Sequence, residues 1–298
     1  MAHIPVLLQA TIEGLAPQPG ETVFDGTAGG GGHGRILCER IGQAGTYIGV
    51  DADTEALERV QAALAGVPAT VKLVNDNFRN IKAVCQKLGI GKTDVILLDL
   101  GLSSNQLDIS NRGFTFQQDQ PLLMTFDPDT SKYPFTAQTI LNEWDEENIA
   151  TILANYGEEQ FASRIAERIV KEREMKPFAT TKQLVDVIIA SVPGWYRHRR
   201  IHPATKTFQA LRIAVNDELG ALRQAMADGW EVLAPGGRLG IITFHSLEGR
   251  LVKEFFLQHK REGDGELLTK KAVGPERNEQ LENPRSRSAQ LRIIRKLA

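Results

Sequence analysis

Thr22-Val-Phe-Asp25 runs directly into Gly26-Thr-Ala-Gly-Gly-Gly-Gly-His-Gly34, and residues 35–40 (RILCER) then read as helix. A short β-branched and aromatic run, a glycine tract and a helix, in that order, open a βαβ unit. Five glycines between positions 26 and 32 allow a ligand to approach the backbone closely, and the following helix N-terminus offers unpaired N–H groups. The stretch is therefore read as a ligand loop. Gly29, Gly31 and Gly34 satisfy G-x-G-x-x-G only because the tract is so rich in glycine, which leaves a dinucleotide-dependent oxidoreductase as one reading. Gly32 is followed by His33 rather than Lys-Ser/Thr, so the tract lacks the signature of a triphosphate loop.

Outward from this loop the alternation continues. Thr46 to Asp51 (TYIGVD), Val71 to Val74 and Asp94 to Asp99 (DVILLD) read as further strands, and Asp53 to Leu64 reads as an amphipathic helix. Polar groups at the carboxyl ends of neighbouring parallel strands converge on one crevice, so Asp25, Asp51 and Asp99 are expected to face the same ligand. An acid at the end of the second strand suits the two hydroxyls of a ribose, so the ligand is expected to contain a nucleoside. Thr243-Phe244-His245-Ser246, after a strand at Arg238 to Phe244, adds a hydroxyl and an imidazole to the same edge. His245 is open to a structural or a functional role.

The alternation stops between about Gly101 and Lys132, a polar, glycine-containing stretch with Phe114, Phe116 and Phe126 embedded, read as a long structured loop. Apolar residues then recur at helical spacing, first at Ile149, Ile152, Leu153 and Tyr156, then at Phe161, Ile165 and Ile169. A stripe from Phe208 through Leu211, Val215, Leu219, Leu222, Met226 and Trp230 to Leu233 predicts one long helix, stopped at Pro235-Gly236-Gly237. The resulting architecture is α/β, a Rossmann-like sheet domain formed by residues 1–103 and 211–298, with a mostly helical insertion at 104–210.

The 298 residues are 42% hydrophobic and 24% charged, which excludes a disordered chain. No apolar run is long enough to span a membrane, and residues 1–20 lack a basic start, so a cytosolic location is expected. Cys38 and Cys85 match no zinc or redox spacing and are read as reduced packing residues. His198 and His202 stand four apart but no third ligand is evident, so no metal is expected. Because 35 Lys and Arg face 37 Asp and Glu, any nucleic-acid signal must be local. From Val187 to Asn216 there is no acid, while Arg197, Arg199, Arg200, Lys206 and Arg212 are interleaved with Trp195, Tyr196 and Phe208. The C-terminal run PRSRSAQLRIIRKLA adds Arg285, Arg287, Arg292, Arg295 and Lys296. A solvated basic face explains such runs as readily as a nucleic-acid surface does.

At these residues the chain resembles the bacterial S-adenosylmethionine-dependent methyltransferases that modify the exocyclic N4 amino group of a cytidine in small-subunit (16S) ribosomal RNA. The resemblance rests on His3 with Pro5-Val6-Leu7-Leu8, the DGTAGGGGHG loop, LLDLGLSSNQLD (97–108), RGFTF (112–116), YGEEQFASRIAERIV (156–170), HPATKTFQALRIAVNDEL (202–219), APGGRLGIITFHSLEGRLVK (234–253) and NPRSRSAQLR (283–292). It implies S-adenosylmethionine contacts at Gly31, Gly32 and His33, the ribose at Asp51, the adenine beside Phe78, and the methionine and reaction side at Asp99 and Gln106. Asp99, or a neighbouring carbonyl, becomes the acceptor for the target amine. Phe114, Phe116 or Phe126 are candidates to stack on the base. The two basic segments become RNA contacts, the partner becomes the small ribosomal subunit, and a homodimer is compatible with the sequence.

The chain departs from the family at Ala28, Gly30 and Gly34, where Phe, Arg and Ser are common. It departs again at Leu123-Met124-Thr125-Phe126-Asp127, in place of Asp-Met-Arg-Met-Asp. A non-catalytic RNA-binding or assembly factor, and a methyltransferase acting on another substrate, are the competing readings.

Overall fold

The computed structural model describes residues 5–103, 106, 107 and 109–298. His3, Ser104, Asn105 and Asp108, which contribute to the resemblance, lie outside the described residues. The chain separates into two compact units, Met1–Gly101 with Leu219–Ala298, and Leu102–Glu218. The limits thus fall at 101 and 219, where the sequence placed them at 103 and 211.

The first unit begins with α1 (Leu8–Leu15), β1 (Thr22–Asp25), α2 (Gly32–Ile41), β2 (Thr46–Asp51), α3 (Thr54–Ala63), β3 (Thr70–Asn75), α4 (Ile81–Lys87) and β4 (Thr93–Asp99). The second unit carries α5 (Ala137–Glu143), α6 (Glu146–Gly157), α7 (Ala162–Met175), α8 (Thr181–Ser191), the single turn α9 (Gly194–Arg197) and α10 (Ala204–Asn216). The chain then continues through α11 (Glu218–Val232), β5 (Leu233–Thr243), α12 (Ser246–Glu262), β6 (Gly265–Leu267), α13 (Arg277–Glu282) and β7 (Gln290–Lys296).

Among the described residues the strands form one seven-stranded sheet in the order β3-β2-β1-β4-β5-β7-β6. β1 to β5 pair in parallel, and β7 runs antiparallel to both β5 and β6. The strand order reverses between β1 and β4, so their carboxyl ends flank the switch point at which open α/β sheets bind ligands. The central strands β1, β2 and β4 have continuous apolar interiors because both of their faces are covered. Val95 and Leu97 join Leu15, Leu37, Ile41 and Ile293 on one face, while Ile96 and Leu98 join Ile48, Ile81, Met226 and Val252 on the other. Each such fully buried side chain stabilises the unit by roughly 1.5 to 3 kcal/mol. Cys38 and Cys85 are buried members of these two cores, and burial pushes their thiols up to about 12 and about 11.

Two sequence expectations need correction here. The single long helix is in fact two, α10 and α11, separated at Asp217, whose φ of +46° belongs to the left-handed region. Asn216 explains the break: its amide donates to the carbonyls of Met124 and Arg212 and its Oδ1 accepts from Phe126 N–H. Those bonds hold the chain where a straight helix would have carried it onward. Pro235-Gly236-Gly237, read as a helix stop, lies inside β5, where the register with β4 shifts between Thr93 and Val95.

The second unit is helical, as its apolar spacing suggests. Ile149, Leu153, Ile165 and Ile169 are fully buried together with Ile140, Leu184, Ile188 and Leu211. Thr136 with Thr139, and Thr180 with Gln183, form capping boxes that start α5 and α8. Among the described residues no helix is long and apolar enough to cross a membrane.

Candidate functional site

The loop after β1 is strung between neighbouring strand ends by its own backbone. Gly26 N–H donates to Leu97 in β4, Ala28 N–H to Val50 in β2, and Gly29 N–H to the Asp51 carboxylate at 2.8 Å. The other Asp51 oxygen accepts from Asp53 N–H at 2.9 Å, and Asp53 caps α3. Asp51 thus fixes the loop to the end of β2. Burial pushes its carboxyl up to about 6, against the pull of these two N–H groups.

Asp25 departs from expectation. It is 1% exposed; its oxygens accept from the Tyr47 hydroxyl at 2.8 Å and from Thr27 N–H at 3.1 Å. Its carboxylate is occupied in holding the loop. Burial raises it to about 6 and raises the Tyr47 phenol well above its ordinary value. Tyr47 was missed in the sequence, where only its apolar ring in a buried strand was legible.

Gly31, at φ +78°, caps the N-terminus of α2, and Gly32 and His33 form its first turn. A side chain at Gly31 meets Ala63 at 2.9 Å, and one at Gly32 meets Pro5 at 2.2 Å. His33 is buried, with Nε2 at 3.1 Å from the Val6 carbonyl and Nδ1 at 3.8 Å from Asp99. A Cβ at Gly34 falls 2.5 Å from the Tyr47 hydroxyl. The glycine in place of the family's serine is therefore matched to the Tyr47–Asp25 hydrogen bond. Gly34→Ser should lower stability by about 1 to 3 kcal/mol through overpacking, read from urea unfolding. A midpoint equal to wild type would show that Tyr47 yields without cost.

Asp99 ends β4 in a different state. Its backbone N–H donates to Thr27 Oγ at 2.6 Å, yet its side-chain Oδ1 is buried with no hydrogen-bond partner. Desolvation, helped by the charges of Asp25 and Glu248 and opposed by Gly101 N–H, raises the carboxyl to about 7. A buried acceptor left without a donor, among carboxyls all pushed up by burial, is suited to a ligand that brings N–H groups and positive charge.

Phe78 opens the turn after β3, half-buried, with its Cβ 2.8 Å from where a side chain on Gly26 begins. His245 proves to be the N-cap of α12: its Nδ1 accepts from Glu248 N–H, and Glu248 returns the bond to the N–H groups of Phe244 and His245. The edge imidazole therefore has a structural task.

In the second unit, Gln106 is 9% exposed and its amide oxygen accepts from Ser103 N–H at 3.0 Å. Phe114 is a core residue stacked with Phe126, and Phe116 stacks on His202 and meets Phe208 edge-on. These rings are packing groups in the first place. The divergent 123–126 stretch is equally internal, with Met124 and Thr125 fully buried.

Arg212 makes a bidentate pair with Glu218 at 2.7 and 2.8 Å, so its charge is already neutralised, and it leaves the set of expected RNA contacts. Lys206 is half-buried and donates to the Glu158 carbonyl. Arg197, Arg199 and Arg200 are exposed. Arg199 lies over the ring of Trp195 at 4.7 Å, and Trp195 is itself 57% exposed. Of the C-terminal run, Arg285 and Arg287 are exposed, whereas Arg295 pairs with Glu266 and Lys296 donates to the carbonyls of Trp230 and Leu233.

A family model described as the MraW methylase family matches residues 1–297. A protein of Heliobacterium modesticaldum named ribosomal RNA small subunit methyltransferase H is 46% identical over 311 residues, covering 99% of this chain and 98% of that one. Its namesake in Symbiobacterium thermophilum is 45% identical over 310 residues, covering 99% and 96%. A chain from Streptococcus mutans crystallised in complex with SAH is 13% identical, with 99% of each chain covered and a TM-score of 0.46.

Proposed function

The chain belongs to the MraW methylase family, and from that membership we propose that it is an S-adenosylmethionine-dependent methyltransferase acting on the N4 amino group of a cytidine in 16S ribosomal RNA. The observation that carries the reading at the site is the buried, unpartnered Oδ1 of Asp99 at the switch point of the sheet. A ribosomal substrate places the reaction in the cytoplasm and makes the small subunit the partner.

S-adenosylmethionine, when bound, supplies an electrophilic methyl group on a positively charged sulfur. The residues that would hold it are the backbone of Gly31, Gly32 and His33, Asp51 for the ribose hydroxyls, Phe78 beside the adenine, and Asp99 near the reacting end. Asp51 retains lone pairs beyond those used by Gly29 and Asp53 N–H, so it can accept a hydroxyl without releasing the loop.

An exocyclic cytosine amine is a poor nucleophile because its lone pair is delocalised into the ring. Asp99 accepts a hydrogen bond from that amine, which draws the lone pair out of conjugation and gives the departing proton a destination. Holding the two reactants in line contributes roughly 7 to 11 kcal/mol of the barrier, and that is the task of the loop and strand ends. The reading is tested by incubating the protein with methyl-labelled S-adenosylmethionine and unmodified small subunits. Label in the RNA supports it, and label confined to protein or absent overturns it.

The second unit supplies the RNA surface. Trp195, exposed and flanked by Arg197, Arg199 and Arg200, offers a stacking plane beside phosphate-binding charges. Trp195→Ala should weaken RNA binding by about 1 to 3 kcal/mol. Replacing the three arginines by Gln should reduce the salt slope of binding by up to about 2, at roughly 0.7 per phosphate contact. Fluorescence anisotropy across a salt series reads both, and an unchanged slope removes the arginines from the interface.

A further inference from the structure

A second recess lies wholly within the sheet unit. It has a volume of about 720 Å³ and is enclosed by the end of β5, the first turns of α12, and residues between 272 and 292. Four cationic side chains reach it from three different elements: Arg250 and Lys253 from one face of α12, Arg287 from the turn at Pro284–Ser288, and Arg292 from β7. No carboxylate lines it among the described residues. A recess lined by cationic side chains and by no carboxylate favours an anion.

Arg292 sharpens this. Its Nε is buried without a hydrogen-bond partner, and burial lowers the guanidinium below its ordinary value. A buried donor of this kind costs free energy until an acceptor reaches it. Ser246, in the first turn of α12, also lines the recess and adds a hydroxyl at the positive end of a long helix.

The position of the recess identifies the anion. Phe244 forms part of its wall, and the same ring lies 2.6 Å from where a side chain on Gly101 would begin, two residues beyond Asp99. The recess therefore adjoins the sheet edge at which the target amine is placed. A nucleotide whose base enters at Asp99 carries a phosphate on either side of its ribose, and the neighbouring phosphates of the strand must pass close by.

We propose that this recess binds backbone phosphates of the single-stranded RNA flanking the target cytidine, with Arg250, Lys253, Arg287 and Arg292 as the contacts. The proposal rests on the RNA methyltransferase reading and adds to it a dedicated phosphate site on the sheet unit, separate from the basic segment of the helical unit. Contacts to phosphate carry no sequence information, so this site sets the register of the strand and leaves selection of the base to the Asp99 edge.

The test uses the full chain and a fluorescein-labelled single-stranded fragment of unmodified small-subunit RNA containing the target cytidine. Lys253 and Arg287 are exposed, so K253Q/R287Q leaves the core intact. The double variant is expected to bind about tenfold more weakly near 0.15 M salt, with a salt slope smaller by about 1.4, the value for two lost phosphate contacts on a single strand. Its affinity for S-adenosylmethionine, measured by calorimetry, stays at the wild-type value. Ethylating the phosphates beside the target cytidine should weaken binding by the wild type and weaken the double variant less, since Arg250 and Arg292 remain in the recess. RNA binding with wild-type affinity and slope in the double variant overturns the recess while leaving the RNA reading in place. Failure of the wild-type protein to bind either this fragment or unmodified small subunits at any salt, with S-adenosylmethionine still bound, overturns both.

Discussion

Asp99→Asn lowers methyl transfer by roughly 10² to 10⁴, the range associated with a positioned proton acceptor. The substitution keeps the size and one carbonyl oxygen of the side chain but removes its charge. Wild-type Asp99 is raised to about 7 by burial, so the ionised form needed to accept the amine proton fills as pH rises through that value. At cofactor concentrations well below saturation, where the ligand-free protein is titrated, the rate should therefore climb between pH 6 and pH 8 and then level off. In the asparagine variant the residual rate has no such step. A variant whose remaining activity still rises around pH 7 would assign that titration to another group and leave Asp99 without the role given to it. Because its Oδ1 has no hydrogen-bond partner, Asp99 is poised for this work; Asp25, whose two oxygens are bonded to Tyr47 and Thr27, is not.

The second large effect is a coupling between protonation and cofactor binding. Asp25, Asp51 and Asp99 are raised to about 6, 6 and 7 from an ordinary value of 3.8. In the unfolded chain these carboxyls ionise near 3.8, whereas in the folded chain they hold their protons to between 6 and 7. Over that window the unfolded state binds fewer protons, so the ligand-free protein loses stability as pH rises from about 4 to about 7. A positively charged ligand beside Asp99 favours the ionised carboxylate, and its binding releases a proton below pH 7. Affinity for S-adenosylmethionine is thus expected to be about tenfold weaker at pH 6 than at pH 8, the factor for one group titrating at 7. The product, whose sulfur is neutral, should show a smaller change. Calorimetry in buffers of different ionisation enthalpy measures both the affinity and the protons released. Equal affinity at the two pH values, with no proton released, contradicts the account of Asp99.

Much of this edge is legible in the sequence. The strands could be read because β1, β2 and β4 are buried on both faces and so are apolar without a break. The loop could be read because a glycine tract between a strand and a helix has few other uses. What escaped the sequence depends on pairings that only the folded chain makes. Arg212 lies in an acid-free segment, but folding brings Glu218 to it, and a charge that looked available is spent. The break at Asp217 was hidden because the apolar stripe runs through it unaltered, while the cause is the hydrogen bonding of Asn216 to residues about ninety positions earlier. Gly34 and Tyr47 are thirteen positions apart and reveal their dependence only where strand and helix pack. Arg250 and Lys253 attracted no notice in a helix that also carries acids, and only the fold sets them opposite Arg287 and Arg292.

The central claim is that this chain transfers a methyl group to the N4 amine of a cytidine in small-subunit ribosomal RNA. Its most direct test is nucleoside mass spectrometry of unmodified small subunits incubated with the protein and S-adenosylmethionine carrying a heavy methyl group. The account predicts heavy N4-methylcytidine, formed at least about a hundredfold more slowly when Asp99→Asn replaces the wild type. Heavy methyl on a different nucleoside, or none in the RNA while the cofactor binds, contradicts it.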